Sequence, residues 1–113
     1  MTFKLSEYNV LPKVEQRDPF SIELTNGELL YNEQKVTDNT KVDLIINMFN
    51  QYKDEIARLN STPASNYKGG RQQAIRIQYE DGKTFTVTGN TPEKEMANLY
   101  LELKNKMISI IEQ

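Results

Sequence analysis

Residues 74–88 read AIRIQYEDGKTFTVT, and the alternation on either side of Asp81-Gly82 decides how the rest of the chain can be arranged. Ile75, Ile77 and Tyr79 alternate with Arg76, Gln78 and Glu80, while Phe85 and Val87 alternate with Thr84, Thr86 and Thr88. A period of two marks strands with one buried face. A two-residue Asp81-Gly82 turn would pair Ile77 with Thr86 and send the two apolar sets to opposite faces. A three-residue loop from Glu80 to Gly82, with Gly82 left-handed, pairs Ile77 with Phe85 and Ile75 with Val87. The three-residue loop is the expectation, because a slip of one residue would expose half of the core.

A second hairpin lies upstream. After Asp18-Pro19, Phe20, Ile22 and Leu24 alternate with Ser21 and Glu23. Asn26-Gly27 is the signature of a two-residue type I′ turn, which pairs Leu24 with Leu29 and Ile22 with Tyr31. Asn32 to Lys35 reads as a further turn and Val36 as a brief strand. In residues 1–17, Phe3 and Leu5 alternate with Lys4, and Val10, Leu11 and Val14 scatter around Pro12. That pattern suggests a short edge strand followed by an irregular arm covering the sheet edge.

Two helices follow from the longer period. Val42, Ile45, Phe49, Tyr52, Ile56 and Leu59 recur at alternating spacings of three and four, with Ile46 and Met48 widening the stripe. The pattern predicts one amphipathic helix, opened by a capping box of Thr40 and Asp43. The second begins after Gly89-Asn90 with Thr91 as N-cap and Pro92 at the first helical position, and buries Met96, Leu99, Tyr100, Leu103, Met107, Ile110 and Ile111. Leu101 and Ile108 fall outside that stripe and are candidates for a small exposed apolar strip.

Between the first helix and the Ala74 hairpin runs NSTPASNYKGGRQQ, residues 60–73. Connections of this length inside a compact domain are uncommon and are often functional. The loop gathers Asn66, Tyr67, Lys68, Gly69, Gly70 and Arg71, and from Ala57 to Tyr79, a stretch that also holds Arg58 and Arg76, no acidic residue occurs. Paired glycines beside Lys and Arg can offer amides and charge to an anion, and Tyr67 can stack on a ring. The spacing is not that of a phosphate-binding P-loop. A plain connector into the hairpin is the competing reading.

Composition narrows the chemistry. At 113 residues the chain is long enough for one core, and its formal net charge of −2 with 27% charged residues lacks the basic excess of a nucleic-acid binder. Neither cysteine nor histidine occurs, which removes disulfides, thiolate and imidazole metal ligands and the usual serine-activating base. The remaining carboxylates fall in turns, caps and solvated helix faces: Glu80 and Asp81, Asp38 and Asp43, Asp54 and Glu55, Glu93 and Glu95. No catalytic residue, metal ligand or cofactor is therefore assigned. No apolar run is long enough to span a membrane. If Met1 is the natural start the expected compartment is the cytoplasm; if an export signal has been removed, it is the cell surface or beyond.

The expected architecture is a single α+β domain over 1–113 in ββαββα order. It comprises an edge strand or arm at 1–17, a hairpin plus helix at 20–59, a loop at 60–73 and a hairpin plus helix at 74–112. Four or five antiparallel strands would carry both helices on one face. From Ile22 to Val87, the succession of a strand and turn, VTDNTKVDLIINMF, a loop ending in YKGG, and IRIQYEDGKTFTV resembles small domains of uncharacterised function in Gram-positive bacteria, often found in lipoproteins. The lipobox cysteine of such lipoproteins is missing here. The resemblance implies an accessory or interaction domain and carries over no catalytic residue. The abundance of Asn and Lys also suits an AT-rich bacterial or phage genome. The functional expectation is a non-enzymatic module that binds another protein, an accessory, inhibitor or immunity-type protein, as a monomer or weak homodimer. Its contact surface would be Asn66 to Arg71 with Arg76. The alternative is a small-ligand or nucleic-acid binder using the same basic loop.

Overall fold

The computed structural model describes residues 1–9, 20–60 and 71–113. Among them, strands β1 (Thr2–Asn9), β2 (Phe20–Thr25), β3 (Glu28–Tyr31), β4 (Gln34–Val36), β5 (Arg71–Gln78) and β6 (Thr84–Thr88) form one sheet. The helices are α1 (Asn39–Gln51), α2 (Lys53–Asn60) and α3 (Lys94–Ile111). The strand order is β4-β3-β2-β1-β5-β6, antiparallel throughout. The class is α+β as expected, but six strands and three helices replace the expected four or five strands and two helices.

Both hairpin registers follow the apolar pattern. Ile77 lies opposite Phe85 and Ile75 opposite Val87, across a loop in which Gly82 takes a φ of 86°. The Tyr79 amide donates to the Lys83 carbonyl at 2.9 Å, which closes the three-residue loop. In the first hairpin Leu24 faces Leu29 and Ile22 faces Tyr31, with Asn26 and Gly27 both at positive φ as a type I′ turn requires.

The largest correction concerns the N-terminus. β1 is the central strand, pairing Phe3 with Leu24 and Leu5 with Ile22 on one side, and Phe3 with Ile77 and Leu5 with Ile75 on the other. It joins two hairpins that share no other strand contact. Its inward set is Phe3, Leu5 and Glu7, so a buried carboxylate breaks the apolar alternation where the sequence reading broke off. The arm expected after it, 10–17, lies outside the described residues. The turn expected over Asn32 to Lys35 shrinks to Asn32 and Glu33, both at positive φ, and Gln34 opens β4. Asn32 carries this left-handed turn by accepting the Ser21 amide on its side chain at 3.0 Å.

The single helix expected from Thr40 to Leu59 is two. α1 ends at Gln51, the Tyr52 amide donates back to Met48, and α2 starts at Lys53. The stripe survives the break, since Ile45, Met48, Phe49, Ile56 and Leu59 are all buried. Last-turn carbonyls of a helix need outside donors. The buried Tyr79 hydroxyl supplies one, donating to the Phe49 carbonyl at 2.7 Å. The caps also move. Asp38, not Thr40 with Asp43, caps α1, accepting the Thr40 amide at 2.9 Å, because the helix starts two residues earlier than the box assumed. α3 starts at Lys94, leaving Thr91 and Pro92 outside it; the Thr91 hydroxyl instead accepts the Glu93 amide at 3.2 Å in a turn ahead of the helix.

All three helices contribute to one core cluster with the sheet's inward face, built around Phe3, Leu5, Ile22, Ile75, Phe49, Leu103 and Tyr100. Leu101 is 50% exposed as expected, whereas Ile108 packs against the core. The described sheet edges offer little room for further pairing. β4 has three residues, and on β6 the Thr86 amide is taken by the Asn60 side chain at 2.9 Å. No helix among the described residues is long and apolar enough to cross a membrane.

Burial, reinforced by the Asp81 charge, pushes the Tyr79 pKa up to about 12 from its ordinary 10.0. The folded chain thus holds a proton that the unfolded chain loses first. This contribution to stability is full below pH 10 and is lost as pH rises towards 12. Tyr79→Phe should lower stability at neutral pH by about 1 kcal/mol through the lost hydrogen bond. Its thermal midpoint should then fall less steeply than that of the wild type between pH 10 and 12, and a steeper fall in the variant would refute the assignment.

Candidate functional site

With the helices on one face, the other face of the sheet is left to the alternate residues. In register, one row crosses all six strands: Lys35, Leu30, Glu23, Lys4, Arg76 and Thr86. At its centre Lys4 stands directly opposite Arg76 on neighbouring strands, both exposed. Like charges placed opposite each other disfavour sheet formation. Neither cation makes an ion pair with a described residue, whereas Lys35, Lys53, Arg58 and Lys104 each have an acidic partner. Glu23, opposite Lys4 on its other side, is the one acid placed next to this pair in the row.

Of the residues expected to form the contact surface, Asn66, Tyr67, Lys68, Gly69 and Gly70 lie outside the described residues. Arg71 opens β5 opposite Asn9, and Arg76 lies on the same strand. At about 3.3 Å per residue the strand holds these two arginine positions roughly 16 Å apart, so they do not share one small site. Arg76 is instead brought beside Lys4. The sequence reading missed Lys4 because it placed β1 at an edge, where no register with β5 could be drawn.

A second polar group lies inside the core. Glu7, 6% exposed, accepts hydrogen bonds on Oε1 from the Tyr100 hydroxyl and from Lys104 Nζ, each at 2.6 Å. Lys104 also sits 5.0 Å from the centre of the Phe20 ring. Tyr100 needs room at the strand end, and Gly89 gives it: a Cβ there would stand 2.6 Å from the ring. The cluster ties α3 to the central strand, with both donors converging on one carboxylate oxygen. Of the carboxylates read as turn, cap and surface groups, Asp38 caps α1 while Asp81 and Glu95 hold turn and surface places. Asp81 accepts the Lys83 amide at 2.9 Å and pairs with Lys53 at 2.8 Å, and the Lys53 hydrogen bond, first among its causes, lowers its pKa. Glu95 pairs with Arg58 at 3.1 Å on the surface. Among the described residues no three His, Cys, Asp or Glu side chains gather as a metal-binding group.

Between α1 and α3 an open groove of about 400 Å³ runs over Leu44, Met48 and Ile110, rimmed by Lys106 and Ser109. Leu44 there is 42% exposed. No protein-family model, curated protein or solved structure matches the chain, so the functional reading rests on this geometry.

Removing either partner of a buried ion pair strands the other, at a cost of about 3 kcal/mol. Glu7→Ala and Lys104→Ala should each destabilise the fold by that order in urea titration, and the double variant by clearly less than their sum. Additive losses would show that the two side chains do not act as a pair. Gly89→Ala should displace the Tyr100 ring and lower stability through the same cluster.

Proposed function

We propose that the chain is a non-enzymatic module that binds another protein through the open face of its sheet, in the manner of an accessory, inhibitor or immunity-type protein. The observation that supports this reading is the exposed Lys4–Arg76 pair at the centre of that face, placed side by side without an acidic partner among the described residues. Like charges that oppose folding and make no ion pair among the described residues are the kind of feature an external partner offsets. The shortness of β4 and the Asn60 side chain on β6 agree with it, since they make strand addition a poorer route to binding. Binding of a small anion or a nucleic acid by the same two cations is the second reading, favoured by their sign alone.

The test is affinity capture from the native host with the immobilised chain, comparing wild type with Lys4→Glu/Arg76→Glu. One protein retained by the wild type and lost by the variant supports the module and its surface. Equal retention by both removes the surface. Retention of nucleic acid alone, released by moderate salt, favours the second reading.

A further inference from the structure

We infer that the partner's contacting segment is acidic, a short run of Asp or Glu whose carboxylates are taken by Lys4 and Arg76; this rests on the binding-module reading above. Directly opposed residues of an antiparallel pair have Cα atoms about 4.5–5.5 Å apart, so the ammonium and the guanidinium rise from adjacent positions within reach of one short segment. A guanidinium donates two parallel hydrogen bonds to a carboxylate, and an ammonium beside it can donate to a neighbouring carboxylate. Along the strands the flanking face residues carry no charge: Ser6 opposite Ala74 lies on one side of the pair, and Thr2 opposite Gln78 on the other, which leaves Glu23 as the one neighbouring acid.

Most other described cations are used internally. Lys41 donates to the Ile111 and Gln113 carbonyls at 2.7 and 3.1 Å, Lys106 lies over the Tyr52 ring, and four others hold carboxylates. Lys83 and Lys94 have no such anchor either, but Lys4 and Arg76 are set apart by standing directly opposite each other. The footprint separates an acidic peptide from a nucleic acid, since two cations neutralise few phosphates. Glu23 beside Lys4 limits the cationic surface to these two side chains, which suits a short acidic segment.

The experiment titrates the full chain into fluorescein-labelled octaglutamate, and separately into labelled octathymidylate, at low and at physiological salt. Saturable binding of the peptide, tighter than of the oligonucleotide, is expected. Lys4→Ala/Arg76→Ala should weaken it about tenfold with a thermal midpoint no lower than that of the wild type, while Lys83→Ala/Lys94→Ala should leave it within about twofold. Absence of peptide binding, tighter oligonucleotide binding, or equal loss in the two double variants would each overturn the inference. A host protein captured through Lys4 and Arg76 that octaglutamate does not displace would overturn the acidic segment and leave the module standing. Failure of both capture and titration removes both readings.

Discussion

The fold depends on a carboxylate held inside the core. β1 brings Glu7 to the inward face of the sheet, and α3 answers with the Tyr100 hydroxyl and the Lys104 ammonium, each 2.6 Å from the same oxygen. A buried charge is tolerated only when paired and hydrogen-bonded. That requirement fixes both the depth of β1 in the sheet and the rotation of α3 above it. Gly89 belongs to the same constraint, because the chain passes too close to the Tyr100 ring for any side chain. The two hairpins are separate ribbons that β1 makes into one sheet, so the polar clamp at its end also holds the halves of the molecule together.

A second, smaller constraint acts at the opposite end of the helical layer. The break at Tyr52 turns one amphipathic stripe into two short helices. The Tyr79 hydroxyl on the Phe49 carbonyl and the Lys53–Asp81 ion pair tie that break to the second hairpin. Lys53 also lies 4.9 Å from the centre of the Tyr79 ring, so hairpin and helix junction share one cluster. At α3's end, Lys41 from α1 caps the final carbonyls. The helices are thus fastened to each other and to the sheet by polar contacts at their ends, and by apolar packing between.

Those fastenings consume charge, and the face they leave alone holds two like charges directly opposite each other. Asp38 at the start of α1 and Asn60 on the edge of β6 satisfy backbone amides within the chain. The α1–α3 groove has apolar character but no charge pattern that selects an occupant. The open sheet face has the reverse, an apolar-poor surface with a defined electrostatic feature at its centre. Flat polar faces of this kind gain specificity from charge placement more than from buried area.

The sequence by itself determined the local structure: class, hairpin registers, both apolar helical stripes and the exposure of Leu101. Each follows from periodicity and turn chemistry acting within about twenty residues, as with Asn26-Gly27 and the Glu80-Gly82 loop. The central position of β1 was hidden because Glu7 occupies an inward position, and only Tyr100 and Lys104, more than ninety residues away, make that tolerable. The helix break and the caps escaped for a related reason. A continuous stripe does not encode where the backbone breaks, and Asp38 competed with Thr40 at nearly equal propensity. Of the candidate surface, Arg76 was legible as a cation in a basic stretch, but its neighbour was not. Tertiary structure alone decided that Lys4 stands beside it, because the register between the first strand and the fifth is a long-range pairing set by the core they share.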